Sequence, residues 1–212
     1  MTIRLNEAEA RYLAAHLDRL LAWDSGTPVR VQVSGDSIGV FGVPPLGVIT
    51  FVAVPLAEGH GAELDRTVSA RDLRARVAPD VDFDIPEVAV PAAAFALLPP
   101  REGWQLPIPA VAGDLVPLVE ESVEEFRART VAVTPATQQL IAEEIWSRIA
   151  WAGLPMRVLH AAKQLGFISR DASRVAASTG GTWKRLTTAR GQVFVHGSKA
   201  TAPTGLTVVG RR

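Results

Sequence analysis

The chain has 212 residues, 48% hydrophobic and 21% charged, which is enough to bury a full core in one or two domains and too apolar for wholesale disorder. It contains no cysteine, which excludes disulfides, thiolate metal sites and a thiol nucleophile and suits a reducing cytoplasm. The formal net charge of +0 conceals two unlike halves: residues 1–133 carry 11 Arg and Lys against 19 Asp and Glu, whereas residues 134–212 carry 11 against 3.

From the N-terminus, Met1-Thr2-Ile3-Arg4-Leu5-Asn6 turns polar before a signal-peptide stretch can form, and no apolar run reaches about 18 residues, so a soluble, unprocessed, cytoplasmic protein without membrane contact is expected. Asn6 as cap, Glu7 and Glu9 in the first turn, and the stripe Leu13, Leu17, Leu20 and Leu21 predict a helix over 6–23. Three strands follow: Val29–Val33 alternates, Ser37–Phe41 comes after a Ser34-Gly35-Asp36 turn, and Gly47–Pro55 is more continuously apolar. They read as a small antiparallel meander, with Pro44-Pro45 in a connection or at an edge. Residues 57–67 read as a loop, and Ser69 with Asp72 has capping-box spacing for a short helix over 70–77. Seven prolines between Pro79 and Pro109 break up the next stretch, including a link from Trp104 to Pro109 read as a strap over the first domain. Asp114 caps a predicted helix running to Arg129 with Leu115, Leu118, Val119, Val123 and Phe126 inward and Glu120, Glu121, Glu124 and Glu125 outward.

Thr134-Pro135 opens a helix to about Trp151, and Leu154-Pro155 starts another that closes at Gly166. A third short helix is expected with Ser169 as its cap. The segments Trp183–Thr188 and Gly191–His196 then read as a hairpin around Ala189-Arg190-Gly191, followed by an apolar run at Leu206–Val209. Three helices and a hairpin are the order of a winged helix-turn-helix.

The expected fold is therefore α+β: an N-terminal helix with a small antiparallel sheet, then a helical unit with a terminal hairpin. The expected domains are an acidic unit over 1–112 with its proline-rich strap, a connecting acidic helix over 113–133, and a basic unit over 134–212. Within residues 153–212 ten basic residues face one acid, Asp171. Either that segment binds DNA or RNA through phosphates, or it docks on acids of its own chain or of a neighbouring subunit.

The nucleic-acid reading assigns Arg170, Arg174, Lys184, Arg185, Arg190 and Lys199 to phosphates, from the third helix and the wing. The adaptor reading gives the acidic helix 114–129 to a protein partner or a second copy. Ser178–Lys184 is a weak anion-binding turn and does not have the form of a phosphate-binding P-loop. His16, His60, His160 and His196 stand isolated, so no metal or other cofactor is expected. His16 and His160 are read as solvent-facing or boundary residues of amphipathic helices, and His196 is the histidine to watch. No Gly-x-Ser-x-Gly elbow occurs and no catalytic residue is assigned, so an enzyme is the less favoured class.

Overall fold

The computed structural model describes residues 1–59, 61, 63–87 and 93–197. Strand β1 (Thr2–Ile3) leads into helix α1 (Glu7–Trp23), which buries Leu13, Leu17 and Leu20 together with His16. The long strands β2 (Pro28–Ser34), β3 (Ser37–Gly42), β4 (Ile49–Pro55) and β5 (Leu64–Ser69) follow. In β2, Val29, Val31 and Val33 turn inward in strict alternation. Gly35, at φ 59°, permits the tight turn into β3. Helix α2 (Ala70–Arg76) is capped by Ser69, whose hydroxyl accepts from the Asp72 N–H at 3.3 Å. Strand β6 (Phe83–Asp84) pairs with β1.

A strap containing a short 3₁₀ turn at Ala93–Phe95 crosses to β7 (Gln105–Val111) at an edge of the sheet, where Pro107 and Pro109 are tolerated. Helix α3 (Ala112–Arg129) starts earlier than Asp114. Its first N–H groups are taken by a loop of the second half, Ala112 N–H donating to Ser173 O at 2.8 Å and Gly113 N–H to Asp171 O at 3.0 Å. Helix α4 (Pro135–Ser147) is capped by Thr134, and the two-strand turn of β8 (Ile149–Trp151) and β9 (Leu154–Pro155) precedes α5 (Met156–Gln164). The chain continues into β10 (Arg174–Gly180), β11 (Trp183–Thr188) and β12 (Gly191–His196).

Eight strands make one antiparallel sheet in the order β5-β2-β3-β4-β12-β11-β10-β7. The halves join where Ile49, Thr50 and Phe51 of β4 face Phe194, Val193 and Gln192 of β12. Helices α1, α2, α3 and α5 cover one face, and a single apolar core runs beneath them from Val29, Val31 and Val68 to Val175, Leu186 and Val193.

This architecture overturns the winged-helix-like expectation of a small sheet and a separate helical unit. The third helix does not form. Ser169 and Asp171 close a turn instead, with the Ser169 hydroxyl donating to Asp171 at 2.5 Å and the same carboxylate accepting from the Ser173 N–H at 2.8 Å. The following residues alternate, Val175 and Ala177 entering the core, and so extend the sheet as β10. The predicted loop 57–67 likewise gives way to β5 from Leu64, because the edge of β2 offers it a complete ladder from Pro28 to Val33. The anion-turn candidate 178–184 is the tip of the β10–β11 hairpin, with Gly181 at φ 59°. The predicted run at 206–209 lies outside the described residues.

Candidate functional site

On the sheet face away from the helices, alternation places a second set of large side chains. Phe41, Ile49, Trp183 and Phe194 are buried there with Phe95, and Val43, Phe51, Leu98 and Trp104 pack on them. Phe41 and Phe51 pack 4.5 Å apart by ring centroids, and Trp104 and Phe194 5.7 Å apart. The strap of residues 93–104 is held on this cluster by Phe95, Leu98 and Trp104. Polar ties add to this: the Arg30 guanidinium donates to Phe95 O at 3.1 Å, and Trp104 Nε1–H donates to Pro100 O at 3.0 Å. Trp104 lies flat on Gly180, where a Cβ would come within 3.1 Å of the indole.

The strap leaves a concavity on either side. A groove of about 480 Å³ lies among Val43, Pro44, Val48, Ile49, Trp183 and Phe194, with Leu97 and His196 at its rim. Leu97 is 57% exposed. His196 stands edge-on to Trp183 at 5.0 Å, its Nε2 2.8 Å from the Thr182 hydroxyl. A second groove of about 540 Å³ is bounded by Phe41, Phe51, Phe194, Trp104, Pro100 and Arg185.

The residues assigned to phosphates are distributed rather than gathered on a helix and wing. Arg170 pairs with Glu120 of α3. Lys184, on the helix-covered side, donates to Gly153 O at 2.5 Å. Arg185, on the opposite face, donates to Ser178 Oγ at 3.1 Å and lies 4.3 Å over the Trp104 ring. Arg190 donates to Gly166 O at 3.1 Å and stands 3.7 Å from Asp171. Arg174 is exposed at the start of β10, and Lys199 lies outside the described residues, as does His60.

Part of the charge asymmetry is neutralised within the chain. Glu120 takes Lys163 at 3.0 Å as well as Arg170, and Glu125 takes Arg129 at 2.8 Å and Arg148 at 2.5 Å. Glu144 joins the same two arginines, each at 2.6 Å. These hydrogen-bonded guanidinium groups hold the Glu125 and Glu144 carboxyls at about 2. On the outer side of α3, Glu121 and Glu124 remain exposed.

His16 is buried, 1% exposed, rather than solvent-facing or at a boundary. Its ring stacks on Phe167 at 5.6 Å with no hydrogen-bond partner for either nitrogen, and burial lowers its pKa to about 3. His160, stacked on Trp146 at 4.5 Å, is lowered to about 4 by burial. Among the described residues no group of three or more His, Asp or Glu is placed to hold a metal ion, and no helix is long and apolar enough to cross a membrane.

The outer-face cluster escaped the sequence reading although it left a trace there. Both 38–41 and 51–54 are apolar on successive residues, the pattern of strands covered on both faces. A two-layer meander does not account for that pattern, whereas a strap over the second face does.

Residues 1–97 match the family model described as a domain of unknown function (DUF8010), and residues 99–200 match another domain of unknown function (DUF8185). No curated protein matches the sequence. Among solved structures, the chain is similar to the DNA polymerase III subunit beta from Pseudomonas aeruginosa, with a TM-score of 0.60 at 13% identity, covering 100% of this chain and 69% of that one. It is also similar to a DNA polymerase sliding clamp from the same organism with ligand, at a TM-score of 0.57 and 16% identity over 96% of this chain and 66% of that one. The beta subunit of DNA polymerase III from Thermotoga maritima gives a TM-score of 0.60 at 11% identity, with coverages of 96% and 66%. The chain thus spans about two thirds of the length of these proteins and has a sliding-clamp-like fold.

Proposed function

We propose that this chain is a non-enzymatic scaffold that holds an extended apolar segment of a partner protein in the groove beside Leu97. The observation that carries the reading is the groove itself. It is about 480 Å³, its walls are Val43, Pro44, Val48, Ile49, Trp183 and Phe194, and Leu97 of the strap projects at its rim. An exposed large apolar side chain beside an apolar concavity with aromatic walls suits a peptide that buries one or two hydrophobic anchors. The fold supports the scaffold class, because the proteins that share it are described as a polymerase subunit and a sliding clamp.

Association with DNA is the second reading, supported by that same fold and by Arg174, exposed at the start of β10. In it, Arg170, Arg174, Lys184, Arg185, Arg190 and Lys199 contribute phosphate contacts. The helices add no broad basic surface, since α1 to α5 together carry nine basic against eleven acidic side chains. Self-association through the acidic helix is a further form of the scaffold reading and draws on Glu121 and Glu124, because Glu120 and Glu125 are already paired.

The groove reading is tested by selecting displayed peptides on the full chain and measuring their affinity for it and for Leu97→Glu. Selected peptides are expected to carry an apolar core and to bind the variant about tenfold more weakly, the loss of one buried apolar contact of about 1.4 kcal/mol. Equal affinity for both chains overturns the assignment.

A further inference from the structure

The second groove, across the strap from the first, has a different chemistry. Its walls are the Phe41 and Phe51 rings, Phe194 and Trp104, while its floor is kept open by Ala53 and Gly39. A Cβ on Gly39 would come within 2.7 Å of the Phe51 ring, so only glycine leaves this depth. At one end stands Arg185. Its Nε–H is used by Ser178, its guanidinium carbon lies 4.3 Å over the Trp104 ring, and no carboxylate among the described residues pairs with it. Burial alone lowers its pKa, and no charged neighbour contributes. At the other end Asp65 is already engaged, accepting two hydrogen bonds from Arg30, at 2.7 and 2.8 Å, and one from Gln32 at 2.9 Å.

We infer that this groove of about 540 Å³ binds a carboxylate ligand with an apolar or aromatic body, gripped by the terminal nitrogens of Arg185 while the body lies between Phe41, Phe51 and Phe194. The size lies within the roughly 300–1,000 Å³ of small-ligand sites. A half-buried guanidinium with free N–H donors and no acid partner is satisfied by a planar anion that takes two parallel hydrogen bonds. A monoanion suits the groove, because Arg185 alone stands at this end, while Arg101, 3.5 Å from Gln32 Oε1, lines the other end together with the Glu63 and Asp65 carboxylates. The hydrogen bond to Ser178 and the contact over Trp104 hold the guanidinium in place before the ligand arrives, which reduces the entropy lost on binding. The two grooves share Phe194 as a wall but are otherwise lined by different residues, so the carboxylate site does not rest on partner docking beside Leu97. The carboxylate can belong to a free small molecule or to the C-terminus of a peptide.

The test titrates ¹⁵N-labelled full chain with N-acetylphenylalanine, with its amide, and with a tripeptide ending in phenylalanine. The two carboxylates are expected to shift backbone signals of β3, β4 and β11 and to bind about tenfold more tightly than the amide, as a charge-assisted hydrogen-bond pair requires. Tighter binding of the tripeptide than of N-acetylphenylalanine identifies a peptide terminus as the source, and the reverse order a small molecule. Arg185→Lys should remove most of the preference over the amide. Because Arg185 also supports Trp104, a second variant, Ala53→Trp, fills the groove from an exposed position and should abolish the shifts with Arg185 intact. Equal binding of acid and amide, unchanged binding to Ala53→Trp, or no shifts up to about 10 mM ligand overturns the inference.

Discussion

Replacing Trp104 by alanine should release the strap without unfolding the sheet. The indole is only half-buried, so removing about 100 Å² of apolar contact costs about 2.5 kcal/mol. Losing its contact with Phe194 and the Arg185 cation over its face adds about 1 kcal/mol, and losing the hydrogen bond to Pro100 adds about 1 kcal/mol. Because the freed strap and the cavity wall relax, about 3 kcal/mol is expected to remain as the net effect, and it falls on a local opening rather than on the main core. Hydrogen–deuterium exchange of peptides covering 95–104 should then accelerate about 100-fold, while the thermal midpoint falls by less than about 4 °C. Trp104→Phe should recover part of the protection. Unchanged exchange in the strap, or a fall of about 10 °C in the midpoint with uniform acceleration, would refute the assignment of Trp104 as a strap anchor.

His16→Leu should remove a pH dependence of stability. The folded-state pKa of His16, about 3, lies below the unfolded value near 6.5, so its neutral form favours folding above that value and the benefit is lost as the pH falls towards 3. Between pH 7 and 5 the wild type should lose about 2 kcal/mol more than the variant in urea unfolding, and parallel losses would contradict the buried neutral imidazole. If the nucleic-acid reading holds, Lys184→Ala with Arg185→Ala should weaken binding to all duplexes alike and reduce the slope of log K against log salt by about 0.9 per lost phosphate contact, whereas no wild-type retardation at low salt would exclude it. A division of the chain near 130–134 predicts that limited proteolysis releases a stable fragment beginning close to Thr134. Resistance there combined with cutting within 134–196 would show one cooperative unit instead.

Local signals in the sequence were clear where short-range chemistry decides the structure. The stripe of α1, the Ser69 and Thr134 caps and the alternation of β2 all appear as read. Long-range pairing was not legible. Residues 174–180 have no propensity that separates a short helix from a strand, and they become β10 because β11 pairs with them from Ala176 to Gly180 and β7 pairs on the other side, with a register shift between Ala177 and Thr179. Residues 64–69 join the sheet for the same reason, through the free edge of β2. The basic side chains were visible as a cluster in sequence, but their partners lie far along the chain: Arg170 meets Glu120, and Arg185 meets Trp104. Sequence clustering therefore said little about a shared face. The aromatic residues of the outer cluster were scattered across five segments and met only when the strap crossed them.

The most direct measurement places a photo-crosslinking benzophenone amino acid at position 97 of the full chain, adds a selected apolar peptide and maps the adduct by mass spectrometry. The scaffold account predicts crosslinking that an unlabelled copy of the peptide competes away, and protection of 43–49 and 194–196 from hydrogen exchange in the complex. Crosslinks that survive competition, or protection confined to the helix-covered face, would contradict it.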